Sequence, residues 1–179
     1  MSGERLKILG FYFGQTPDAE EHVRSIERKM MARMWILRHL KRAGVPQEDL
    51  NSIFKTLLRP VIDYAAPVYS SLLTKGQSDR LERLQMWAYK IVYGFNVSYD
   101  TVQREAGVQL LKDRCQELFV RFAKKLSTNP RFSDWFVRDP CHEHYTRKRK
   151  SLKNPRPRTE RLKKNPLYAM RRTINEEEN

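Results

Sequence analysis

At 179 residues, 40% hydrophobic and 31% charged with only 7 glycines, the chain carries enough apolar surface for one domain with a core and is too apolar for a disordered polymer. No apolar run approaches the roughly 20 residues of a membrane span, "MSGERLK" lacks an apolar signal core, and Cys115 and Cys141 are too few for a disulfide framework. The expectation is an intracellular protein, nuclear or cytoplasmic, whose net charge of +14 favours a polyanionic partner.

"LKILGFYF" (residues 6–13) is short, apolar and aromatic, and predicts a strand; with no second strong strand nearby, it is expected to need a partner from outside the chain. A long helix follows. Thr16 fits its cap and Pro17 its first position, Val23, Ile26, Met30, Met34, Leu37 and Leu40 form a stripe at spacings of three and four, and Gly44 stops it. Its opposite face carries Arg24, Arg28, Arg38 and Arg42, mixed with Glu20 and Glu27. Such a face is either merely solvated or a phosphate-binding surface.

Pro46 opens the next helix, with Leu50, Ile53, Phe54, Leu57 and Leu58 as its apolar side. Pro60 and Pro67 then interrupt an almost wholly apolar run ending at Leu73, which should lie at the centre of the domain. The prolines are expected to turn this run through a corner so that helices pack on both sides. Asp63 and Tyr64 read as polar groups satisfied within the core. Ser78 is the expected cap of a helix holding Leu81, Leu84, Ala88, Ile91 and Val92 inside and ending at Gly94. A short helix from about Ser98 to Ala106 precedes a longer one marked by Leu111, Cys115, Leu118, Phe119, Phe122 and Leu126. Asn129 and Pro130 open a last turn, whose Phe132, Trp135 and Phe136 would form an exposed anchor.

Beyond Pro140 the apolar signal collapses into "RKRKSLKNPRPRTERLKKNP". Residues 141–172 hold twelve Lys/Arg against Glu143 and Glu160, a composition that cannot bury enough surface to fold alone. "LYAMRRTI" fits a final docking turn. No Gly-rich phosphate loop, nucleophile elbow or paired acids appear. Cys141, His142 and His144 are too close together to wrap a tetrahedral ion unaided, so no metal, cofactor or active site is expected.

The ordered set "LKILGFYFG", "HVRSIERKMMARMWILRHLKRAG", "FKTLLRPVIDYAAPVYSSLL" and "DRLERLQMWAYKIVYG" resembles the C-terminal portion of reverse transcriptases from non-LTR (LINE-like) retrotransposons. The family's features fall at Lys7, Leu9 and Gly10, at Trp35, at Arg59, Pro60, Tyr64, Pro67, Val68 and Tyr69, and at Leu81, Gln85 and Ala88. The resemblance implies the thumb and post-thumb helices without the palm, and therefore without the metal-binding aspartates of an [FY]-x-D-D motif. A non-catalytic fragment follows from it, with the absent palm as a possible partner for the strand.

The expected fold is mainly α: a multi-helix bundle with one short N-terminal strand and a basic, largely disordered C-terminal tail. The segments would be an orphan strand over 1–14, a helical domain over 15–137, and a tail over 138–179. The expected partner is the backbone of RNA, DNA or an RNA–DNA hybrid, met by Arg24, Arg28, Arg38 and Arg42 and by the tail's Arg147, Lys148, Arg149, Lys150, Lys153, Arg156, Arg158, Arg161, Lys163 and Lys164. Two other readings compete. One is a helical protein-interaction domain with a nuclear-localising tail. The other is a likeness of residues 6–64 to the helical N-terminal region of an AlkB-type tRNA-modifying protein. An unpaired strand edge leaves dimerisation open.

Overall fold

A computed structural model describes residues 6–8, 10–13, 19–138 and 152–177, and they are mainly helical. Thr16 and Pro17, the expected start of the first helix, lie outside the described residues. The expected single strand is instead a hairpin. β1 (Leu6–Ile8) pairs antiparallel with β2 (Phe11–Phe13), and Ile8 faces Phe11 across a two-residue turn. Gly10, at φ +81, supplies the backbone conformation that so tight a reversal needs. The segment therefore finds its partner within itself, and Phe11 is buried beneath it against α1.

Helix α1 (Glu20–Arg42) buries the predicted stripe at Val23, Ile26, Met30, Met34 and Leu37. Helix α5 (Lys75–Tyr93) lies beside it and buries Leu81, Leu84, Ala88, Ile91 and Val92, with Tyr89 as well. The two run parallel. Glu20 and Glu27 meet Gln77 and Arg80 near their starts, while Lys41 Nζ donates to the Val92 carbonyl near their ends, at 2.8 Å. Parallel neighbours require the chain between them to travel back the full length of α1.

That return is the doubly interrupted apolar run. Helix α2 (Gln47–Ile53) widens into a π turn (Phe54–Leu58), followed by α3 (Arg59–Asp63), α4 (Ala66–Tyr69) and a 3₁₀ turn (Ser70–Leu72). Pro60 has no N–H for the carbonyl one turn back, and the helix widens immediately before it. Pro67 occupies the first turn of a new helix, α4, where the missing donor costs nothing, whereas the helical backbone runs on through Pro60 from the π turn into α3. Between those helices Ala65 stands at φ +58, a left-handed conformation that an alanine pays for with strain. Phe54, Leu58, Ile62, Ala66 and Tyr69 on this return are fully enclosed. Tyr69 donates its hydroxyl to the Ile62 carbonyl at 2.6 Å.

Two local expectations change. Thr74, not Ser78, caps α5 through a reciprocal pair with Gln77, and Tyr64 is half exposed, its ring lying over Gly10. Asp63 does sit in a polar contact. Its Oδ2 accepts from Arg114 at 3.3 Å and lies 3.8 Å from Arg59, which joins α3 to α7 (Leu111–Ser127). Gln85, quoted above for the resemblance, is buried and donates to Tyr99 and to the Gln109 carbonyl. Its neighbour Glu82 accepts the Leu111 N–H at 2.9 Å and so caps α7, while the Tyr99 hydroxyl ties α6 (Tyr99–Ala106) to the same carboxylate.

The disordered tail requires correction over residues 152–177. Leu152 bridges Arg138 in antiparallel fashion, α8 (Glu160–Lys163) is a single turn, and α9 (Pro166–Glu177) packs on α7. A second apolar cluster results: Phe119 and Ala123 of α7, Phe136, Leu152, and Ala169, Met170 and Ile174 of α9. The segment cannot fold alone, but here it completes a surface that α7 leaves open. Phe136 is buried in this cluster and Phe132 packs against it, so of the three residues of the expected anchor only Trp135 is well exposed.

Candidate nucleic-acid interface

Charge is distributed unevenly along α1. Its first two turns hold Glu20 and Glu21, which suit the positive end of the helix dipole. Arg80 of α5 reaches across to two acids at once, with Nη1 on Glu20 at 2.9 Å and Nη2 on Glu27 at 2.6 Å. Hydrogen bonds from Arg80 and Gln77 hold the Glu20 carboxyl down at about 2, against 4.5 ordinarily, so it stays ionised at any physiological pH. Arg24 donates to Glu20 at 2.9 Å and Arg28 pairs with Glu21 at 3.5 Å. Exposed pairs of this kind are worth roughly 0.2–1 kcal/mol, too little to fix either arginine. The three carboxylates nonetheless cancel the local field, and a polyanion gains little there.

The other end of the helix is different. Residues 28–42 contain six Lys/Arg and no Asp or Glu. Two of those cations serve the fold: Arg33 donates to the Leu57 carbonyl on the return segment, and Lys41 to that of Val92. Arg38 lies over the Trp87 ring of α5, 5.3 Å from its centre. That contact brings the open side of α1 up to the seam with α5. Trp35, one turn earlier, is 59% exposed and stacks on His39 with ring centres 3.8 Å apart. His39 Nδ1 lies 2.9 Å from the Trp35 carbonyl, which fixes the stack. Arg42 completes the spacing and is exposed.

On α5, Trp87 is flanked at helical spacing by Arg83 and Lys90, and residues 83–93 also lack Asp and Glu. Two open indoles with Arg38, Arg42, Arg83 and Lys90 around them therefore form one face. Guanidinium and ammonium groups are the chemistry that suits phosphates, and exposed aromatic planes the chemistry that suits unpaired bases. Arg83, Trp87 and Lys90 escaped sequence reasoning because they fall outside the apolar stripe of α5, where a solvated side is the ordinary reading. A tryptophan on the polar side of a helix between two cations was the available signal.

The tail cations are placed elsewhere. Lys153, Arg156 and Arg158 are exposed on the extended segment after Leu152, Arg161 and Lys163 on α8, and Lys164 is half-buried. Lys163 pairs with Glu160, and the Lys164 carbonyl accepts from Ser71 at 3.3 Å. Since α8 and α9 attach through α7 and the end of α4, these cations and those of α1 belong to separate elements. Arg147, Lys148, Arg149 and Lys150 lie outside the described residues, as do Cys141, His142 and His144. Among the described residues no group of three His, Cys, Asp or Glu is placed to hold a metal ion, and no helix is long and apolar enough to cross a membrane.

The chain matches no protein-family model, no curated protein and no solved structure.

Proposed function

We propose that the protein is a non-catalytic nucleic-acid-binding helical module, derived from the thumb region of a non-LTR reverse transcriptase, that grips the backbone of RNA, DNA or their hybrid. The observation that carries the reading is the acid-free face of α1 and α5, with cations disposed around Trp35 and Trp87. Arg38 and Arg42 contribute more than Arg24 and Arg28, whose field the neighbouring glutamates offset. The tail supplies further contacts through Lys153, Arg156, Arg158 and Arg161. The competing protein-interaction reading keeps only Trp135 as an exposed anchor, since Phe136 is buried within the molecule.

Fluorescence-anisotropy titration of an RNA–DNA hybrid, duplex DNA and single-stranded RNA across a salt series tests this. Affinity should fall steeply with log salt, and removing two phosphate contacts in Arg38→Ala/Arg42→Ala should reduce that slope by roughly 2. Trp35→Ala should weaken single-stranded RNA by about tenfold or more while sparing the duplexes, because only unpaired bases reach an indole. Binding that is indifferent to salt, or unchanged in the double variant, rejects the interface.

A further inference from the structure

We propose that the cleft bounded by α5, α7, α8 and α9 is a binding site for a single phosphorylated nucleotide, separate from the α1–α5 face. The cleft encloses about 540 Å³, within the range of roughly 300–1,000 Å³ typical of small-ligand pockets. Its charged lining comes from four elements: Lys75 of α5, Lys112 of α7, Lys163 of α8 and Arg172 of α9, facing Asp79 and Glu176. Glu176 lies 3.5 Å from Arg172, and Lys163 pairs with Glu160 outside the cleft. Among the described residues Lys75 and Lys112 have no carboxylate within ion-pair distance. Both lie in the first turns of long helices, of 19 and 17 residues; the Glu82 carboxylate offsets the positive end of α7, which leaves that of α5 beside the cleft.

A polar atom is also held ready. Thr173 is only 9% exposed and lines the cleft, so its hydroxyl is open to an occupant. The rest of the wall is mixed, with Leu73 and the Phe119 ring providing an apolar side. Two lysines, a hydroxyl on the cleft wall and an adjoining apolar surface suit a ligand with a phosphate at one end and a base at the other. Because Lys163, Ala169, Arg172, Thr173 and Glu176 of the lining come from the docked α8–α9 segment, an occupant would also strengthen that docking.

Calorimetric titration of the intact protein with AMP, adenosine and inorganic phosphate tests the proposal. AMP should bind more tightly than adenosine, and inorganic phosphate should compete with it. Lys75→Ala/Lys112→Ala should weaken AMP by about tenfold or more, the cost of losing charge-assisted contacts. Thr173→Val, which keeps volume and helix, should weaken it several-fold with the melting temperature held. Trp35→Ala/Arg38→Ala should leave AMP untouched, which separates this site from the proposed nucleic-acid interface. No heat with millimolar AMP, equal affinity for adenosine, or a loss confined to Trp35→Ala/Arg38→Ala overturns it.

Discussion

Around Phe54 and Tyr89, whose rings sit 4.2 Å apart, the core is closed on every side by α1, the return segment and α5. Around Phe119 and Ile174 it is closed by residues 152–177, which pack on α7 and on the end of α4. The first cluster is made of overlapping helices that each bury a full stripe. The second depends on a few backbone bonds: the Leu152 N–H and C=O are both met by the Asn175 side chain, at 2.7 and 3.0 Å, as a neighbouring strand would meet them. Helix α7 thus borders the interlocked core on one flank and, on the other, a smaller cluster whose separate opening is the expectation to test.

Truncation should expose that difference most. Phe54→Ala removes a fully enclosed ring and should cost about 3–5 kcal/mol in urea denaturation, lowering stability throughout. Protonation comes next. His22 is buried between Phe11 and Tyr69 with neither ring nitrogen hydrogen-bonded, and burial lowers it to about 4 from 6.5. The unfolded chain takes up that proton first, so stability is complete above 6.5 and falls between 6.5 and 4 by about 3 kcal/mol in all. His22→Phe should flatten this decline. Glu20, held at about 2, adds acid sensitivity only below 4.5.

In the second cluster, Asn175→Ala should cost about 1–3 kcal/mol by leaving the Leu152 backbone unmet. Hydrogen exchange should then rise in residues 152–177 and stay unchanged in α1 and α5. An equal rise everywhere would show one cooperative unit and erase the comparison. The smallest effect is expected at Ala65, where glycine relieves the left-handed strain at some entropic cost, for a net gain of roughly 0.5–1 kcal/mol in thermal melts.

The helices of the larger core were legible because their signal is local. The stripes of α1 and α5 repeat every three or four residues, and Gly44, Gly94 and Gly107 mark ends where the backbone takes positive φ. What was not legible depends on residues far apart in sequence. Arg80 on Glu27, Arg114 on Asp63, and Asn175 on Leu152 carry no short-range pattern. The ordering of residues 152–177 likewise follows from the open flank of α7 and not from their own composition. Of the candidate site, the arginines of α1 were readable as a face; their division into a neutral half and a positive half required knowing where Arg80 reaches.

The three tryptophans, at 59%, 39% and 48% exposure for Trp35, Trp87 and Trp135, all stand outside the enclosed cores. Their emission should already lie close to that of indole in water while the protein is folded, and should shift little when it melts. Quenching on addition of a ligand would therefore report contact at the surface and not a change of fold. Trp35 and Trp87 stand as optical probes on the face proposed for nucleic acid, and folding is better followed by circular dichroism or through the enclosed tyrosines.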